Sequence, residues 1–221
     1  MPLTFLRSFS CLLAISLSLV LPCAAFVTPL SDTAVRQAYF MGQRHDESLA
    51  RFLDSYTKHL PPPKTGPYIS SVSFFTPYAL LTQLSSQKPY GYSAQQAEID
   101  HHKLVETVSI TIVIQLTGSY SSVMRNPAPQ TTGTPFEFLP RPSGFWREFQ
   151  VQVFDGDKPL TPFLYSGEPT FICGDTGCTL VGATIQLEFL AESFSSDSSR
   201  VSIVPPEGDP VDLDFEVAFL R

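Results

Sequence analysis

From Val108 to Leu116 the apolar residues fall on every second position: Val108, Ile110, Ile112, Ile114 and Leu116 alternate with Ser109, Thr111 and Gln115, and only Val113 breaks the pattern. Successive side chains of a strand point to opposite faces, so this spacing specifies a strand with one apolar face. The period recurs at Phe149, Val151 and Val153, at Ile185, Leu187 and Phe189, and from Val211 through Leu213, Phe215 and Val217 to Phe219. Further strands are expected near residues 162–166, 170–173, 178–183 and 200–204, joined by turns rich in Gly, Pro and Asp. Strands with alternating patterns rather than continuous apolar runs belong to antiparallel sheets. The fold expected is mainly β: an antiparallel β-sandwich, Ig-like in general architecture, over residues 104–221.

Ahead of it the period is helical. Ser31 or Asp32 is placed to cap a helix through Val35, Ala38 and Tyr39 that Gly42 interrupts. Asp46 opens a second, in which Leu49, Phe52, Leu53, Tyr56 and Leu60 form one stripe until Pro61, Pro62 and Pro63 end it. His59 then sits at a helix C-terminus, where positive charge is favoured. A strand is expected over Tyr68–Thr76, followed by a short helix from Tyr78 to Gln83 with Thr76 as cap and Pro77 at its first position. Ser93 and Gln96 match a capping box at the head of a last helix, Ala94 to His102. Residues 26–103 thus read as a helical lead-in and mixed region before the β-domain.

Residues 1–25 read as a cleaved signal peptide. Arg7 precedes an apolar run from Cys11 to Pro22, and Cys23, Ala24 and Ala25 supply small residues for cleavage. The run is shorter than the roughly 20 residues a membrane-crossing helix needs, and nothing downstream is long enough either. The expected address is secreted or periplasmic. Cleavage removes Cys11 and Cys23 and leaves Cys173 and Cys178, which flank the turn residues Gly174 to Gly177. Opposed on a hairpin in an oxidising compartment, they are expected to form a disulfide. A redox pair more usually takes the Cys-x-x-Cys spacing at a helix start.

The chain carries a formal charge of −7, which becomes −8 once Arg7 leaves with the leader, and its cations are scattered. Phosphate binding needs concentrated Lys and Arg, so nucleic acid is not an expected partner. No esterase elbow, zinc-protease motif or phosphate loop occurs, and no catalytic residue, metal ligand set or cofactor is assigned. His101 and His102 are neighbours on a helix and point about 100° apart, which does not suit a shared metal. Asp155 and Asp157 read as turn residues, and Asp212, Asp214 and Glu216 as a solvated strand face. The aromatic residues are the positive sign of binding: Tyr78, Tyr90 and Tyr92 cluster in one Pro- and Gly-containing region, and Phe145 with Trp146 follows the proline-rich stretch 117–144. Exposed together, such rings stack on sugars or anchor a protein; core packing is the competing role. The function expected is a non-catalytic binding or envelope-interaction module for an unidentified protein or glycan. The alternatives are a secreted carbohydrate-active hydrolase with an acidic pair, or a structural subunit that docks through its N-terminal helices.

Overall fold

The structure is a computed structural model that describes residues 26–88, 91–126, 137–175 and 177–221. Residues 1–25, read above as a signal peptide and including Cys11 and Cys23, lie outside the described residues. The chain runs through α1 (Asp32–Gly42), α2 (Glu47–Asp54), β1 (Thr57–His59), β2 (Tyr68–Phe75), α3 (Pro77–Gln87), α4 (Ala94–His101) and β3 (Thr107–Gln115). It continues through β4 (Val123–Asn126), β5 (Glu137–Pro140), β6 (Gln150–Asp155), β7 (Lys158–Leu160), β8 (Leu164–Gly174), β9 (Gly177–Leu190), β10 (Ser199–Val204) and β11 (Val211–Phe215).

The strands are antiparallel throughout, in a five-stranded sheet of order β1-β2-β3-β9-β8 and a four-stranded sheet of order β11-β10-β6-β7. The period-two residues make one shared apolar interior. Val108, Ile110, Ile112 and Ile114 of β3 are buried with Ile185, Leu187 and Phe189 of β9 and with Val153, Val201, Ile203 and Phe215 from the other sheet. Phe74 of β2 packs against Phe215 of β11 at 5.4 Å between ring centroids, across the space between the sheets. Strands β1 and β2, from ahead of residue 104, complete the larger sheet.

Each helix starts where a side-chain oxygen is available for its first free amides. Ser31 accepts from the Ala34 N–H, Asp46 from Ser48 and Leu49, Thr76 from Ala79 and Ser93 from Gln96. The capping box at Ser93 is half made, because the Gln96 amide donates to Asp100 Oδ1 at 2.8 Å instead of turning back. Leu30, Val35, Ala38, Tyr78, Leu81 and Ala97 form a second, smaller apolar cluster among α1, α3 and α4. Close packing there admits no side chain at Gly42, where a Cβ would meet the Thr82 carbonyl oxygen and Ser85.

Three expectations need correction. The second helix stops at Asp54, and Thr57–His59 pairs with Ser71–Ser73 as an edge strand. The helical spacing of Tyr56 and Leu60 is outweighed by the open edge of β2, whose backbone groups need partners. His59 is therefore on a strand, with Nε2 2.8 Å from Asp54 Oδ1, not at a helix end. The last strand ends at Phe215: Val217 to Phe219 turn as a 3-10 segment with Val217 buried and Phe219 84% exposed. The expected strands at 178–183 and 185–189 are one continuous 14-residue β9, and those at 162–166 and 170–173 are one β8. Residues 155–158 form the tight hairpin turn expected, between β6 and β7, and the buried Asp155 carboxylate there also accepts from the Ser195 and Ser196 amides at 3.0 and 2.9 Å and from the Ser195 hydroxyl at 3.0 Å, pinning the Ser-rich turn.

The proline-rich stretch after β3 leaves both sheets to form a separate hairpin, β4 with β5; its residues 127–136 lie outside the described residues. Its base is clamped. The buried Tyr120 hydroxyl donates to Glu148 Oε2 at 2.8 Å, and the Arg141 guanidinium lies 3.5 Å over the Tyr120 ring. Burial, with Glu148 as the second cause, pushes the Tyr120 phenol well above the ordinary tyrosine range.

Candidate functional site

The aromatic residues singled out from the sequence are placed in two different interiors. Tyr78, 2% exposed, belongs to the helical cluster, with Phe52 edge-on at 5.9 Å and the Arg221 guanidinium over its ring. Tyr92 is half-buried beside it, holding the Tyr39 hydroxyl with its carbonyl oxygen, and Tyr90 lies outside the described residues. Phe145 and Trp146 are buried in the main core. They sit on a 3-10 turn after Gly144, where Phe145 meets Tyr120 and Trp146 covers Gly167 of β8. No shared aromatic platform is assembled from them. The stripe that starts on α2 is partly covered: Leu49 and Tyr56 are buried, Phe52 and Leu53 are half-buried with Phe52 against Tyr78, and Tyr56 and Thr76 donate their hydroxyls to the Arg221 carbonyl oxygen at 3.1 and 2.5 Å.

The disulfide is formed as expected. Cys173 and Cys178 face each other in the register of β8 and β9 and are bonded at the end of that hairpin.

The candidate site lies where the α4–β3 connection crosses the surface between α3 and the segment Phe26 to Leu30. Two grooves flank residues 101–106. One, of about 290 Å³, is walled by Pro77, Leu80, Leu81 and Leu84 of α3; the other, of about 670 Å³, by Thr28, Pro29, Leu30, Leu190 and Ala191. They share His101, Leu104, Val105 and Glu106. Leu104 and Val105 stand out as an apolar ridge, 61% and 72% exposed.

Beneath that ridge is a charged pin. The Glu106 side chain is 11% exposed and accepts three hydrogen bonds, from the Thr28 hydroxyl at 2.6 Å, the Leu30 N–H at 2.6 Å and His101 Nε2 at 2.9 Å. A carboxylate only accepts, so the imidazole proton is on Nε2. The backbone of Glu106 is held too, its carbonyl oxygen accepting from the Ala191 N–H at 3.0 Å. Beside it, the exposed His102 lies 3.1 Å from Asp32 Oδ1 and ties the end of α4 to the start of α1.

The order of groups decides what this arrangement does. In a nucleophile relay the hydroxyl donates to the imidazole and the acid lies behind it. Here the acid is in the middle: the Thr28 hydroxyl and the imidazole both donate to Glu106. The Thr28 hydroxyl lies on Glu106 and not on the imidazole, and Glu106 also holds Leu30 and His101, so that it joins three segments. The groove beside α3 is mostly aliphatic, and the other also carries His102 and Glu192.

In the sequence nothing marks Glu106, and His101 stands out only as the neighbour of His102 at a spacing that does not suit a shared metal. Their pairing spans five residues across a helix end, but the other partners, Thr28 and Leu30, are more than seventy residues away, and no local spacing signals such a contact. Comparison with protein-family models and with curated proteins finds no match to this sequence.

Proposed function

We propose that this chain is an exported, non-catalytic binding module, built on a two-sheet sandwich of Ig-like general architecture, and that the cleft beside Leu104 and Val105 receives an apolar group of a protein partner. The reading rests on one observation: the buried acid of the cleft is engaged in fixing its walls, and the groove beside α3 is lined mostly by aliphatic side chains, Leu80, Leu81, Leu84, Leu104 and Val105. A glycan is the poorer occupant, because sugar rings are held by aromatic faces and, among the described residues, the lining of both grooves contains no Phe, Tyr or Trp. The hydrolase alternative requires two carboxylates facing a substrate. Glu106 is paired instead with an imidazole, a hydroxyl and an amide, which leaves Glu192 as the one other carboxylate among the described lining residues. Docking through the helical stripe of α2 is disfavoured by the burial of Leu49 and Tyr56 and the packing of Phe52 on Tyr78.

Export is part of the proposal. The disulfide is compatible with an oxidising compartment, and among the described residues no helix is long and apolar enough to cross a membrane. N-terminal sequencing of the exported product is expected to begin at Phe26. For the cleft, the test is a pull-down from the envelope of cells that make the protein, run in parallel with a Leu104→Asp variant and read by mass spectrometry. Leu104 is exposed, so the variant keeps the fold. Prey enriched by the wild type and lost with Leu104→Asp supports the reading. Prey indifferent to that substitution, or no prey together with measurable glycan turnover, overturns it.

A further inference from the structure

Among the described residues the two main sheets have four edges, and three are protected. β1 is three residues long and carries Lys58; β7 is three residues long and carries Lys158 and Pro159; β11 is five residues long, follows Pro210 and exposes Asp212 and Asp214. Short length, Pro and outward charge are the usual means of blocking unwanted strand pairing. β8 differs. It runs for eleven residues with a single charge, Glu168, and among the described residues no main-chain hydrogen bond joins it to any segment but β9. Leu164 and Tyr165 on it are 40% and 42% exposed.

The groups available along this edge specify what pairs with it. A row of free backbone N–H and C=O groups is satisfied by another extended main chain and by no compact ligand. Pro169 has no N–H and divides the edge, which leaves Leu164 to Glu168 as the usable run of five residues. The two faces of that run differ. Tyr165 and Gly167 lie on the core side against Trp146, with the Tyr165 ring 5.9 Å from the indole. Leu164, Ser166 and Glu168 lie on the outer side, where their β9 neighbours are Glu188, Gln186 and Thr184. An incoming strand therefore meets an aromatic, apolar surface on one face and the Glu168 carboxylate on the other, with Glu188 one strand further in, about 10 Å away.

A second copy of this chain fits poorly. Antiparallel self-pairing centred on that run sets Ser166 against Ser166 and Glu168 against Leu164, so what opposes it is the repulsion between two molecules that each carry a charge of −7. We infer that the Leu164–Glu168 edge of β8 binds an extended segment of a different polypeptide, with apolar side chains at alternate positions and Lys or Arg between them. This surface is separate from the cleft at Leu104, so failure here leaves the binding reading of the cleft untouched.

The probe is a capped heptapeptide of alternating Val and Lys, added to the full exported chain labelled with 15N. A Val–Glu heptapeptide is the charge control. The expected result is slowed amide exchange and shifted resonances confined to Leu164–Glu168 and the adjoining residues of β9, with the Val–Glu peptide binding at least about tenfold more weakly. Added salt weakens the Val–Lys complex. A Leu164→Lys, Ser166→Lys variant, substituted at two solvent-facing positions, keeps the thermal midpoint and loses binding. Equal binding of both peptides, perturbation elsewhere or no perturbation overturns the inference. Protection of β8 that rises with protein concentration in the absence of peptide overturns it in favour of a second copy.

Discussion

Replacing Glu106 by Gln tests the pin beneath the cleft. The substitution preserves shape and removes the charge. The wild-type carboxylate accepts from Thr28, Leu30 and His101, two of them at 2.6 Å. Hydrogen bonds to a charged group contribute about 1.5–3 kcal/mol each, and such contributions are not additive within one network. A glutamine oxygen still accepts from two donors, but its amide presents a donor where the third one points. The loss is then one charge-assisted bond and the weakening of two others, about 2–3 kcal/mol in all. For a chain of this length that corresponds to a fall in thermal midpoint of roughly 4–12 °C. The damage is local in origin: the segment Phe26–Leu30 detaches first and withdraws Phe26 from its contact with Phe194, 6.3 Å between ring centroids. Amide exchange is expected to accelerate at Leu30 and Val35 well before Ile110 or Ile185. The control is Glu192→Gln, an exposed acid on the wall of the same cleft, which is expected to shift stability by less than about 0.5 kcal/mol. If Glu106→Gln matches that control and Leu30 keeps its protection, Glu106 is not the pin and the fixed-wall account of the cleft fails.

Reduction of Cys173–Cys178 is expected to act on the hairpin end and not on the sheets. The closed loop is short, so the cross-link contributes at most about 2 kcal/mol, and β9 is paired with β3 only from Gly182 onward. Exchange at residues 171–173 and 178–180 should rise under reductant while Ile185 is unchanged; a cooperative collapse of the whole spectrum would contradict this. Gly182→Ala places a methyl group deep inside contact distance of the Ile114 carbonyl oxygen in the adjacent strand, and a cost of about 3 kcal/mol or a failure to fold is expected. Gly118→Ala, which meets nothing, is its neutral counterpart by denaturant titration. At alkaline pH the raised Tyr120 phenol stays protonated in the folded chain after the unfolded chain has begun to ionise. Stability should therefore hold up to about pH 10 and decline above it, and Tyr120→Phe should flatten that decline while costing about 1 kcal/mol at neutral pH.

The β half was legible because the strands of an antiparallel sheet write their facing into sequence. Val108, Ile110, Ile112 and Ile114 alternate inward as their spacing requires, and the pairing β3 with β9 sets Ile110 opposite Leu187 and Ile112 opposite Ile185. Caps were legible for the same kind of reason, since Ser31, Asp46, Thr76 and Ser93 act within three residues of themselves. Errors gathered where a distant partner overrules local preference. Thr57–His59 continues a helical stripe and still becomes a strand, because β2 offers an open edge; Phe219 continues a period-two pattern and leaves the sheet, with the Ala218 N–H bound to the Asp197 carbonyl oxygen.

The site was less legible than the fold, and the reason lies in how each is encoded. An apolar interior is redundant: many residues repeat one signal, and a few exceptions such as Val113 leave it readable. A cleft wall depends on single contacts. Glu106 stands between Val105 and Thr107 at the mouth of a strand, and nothing within ten residues marks it as the acceptor for Thr28 and Leu30. The aromatic residues misdirect for a related reason. Tyr78, Phe145 and Trp146 are conspicuous in a list of residue types, but their rings supply more buried area than any other side chain, and both interiors consume them. The edge of β8 is an intermediate case. Its strands were visible as two short runs, yet its exposure follows from sheet order, with β9 and not β8 beside β3, and that order is set by which strands share a core rather than by any residue of β8 itself.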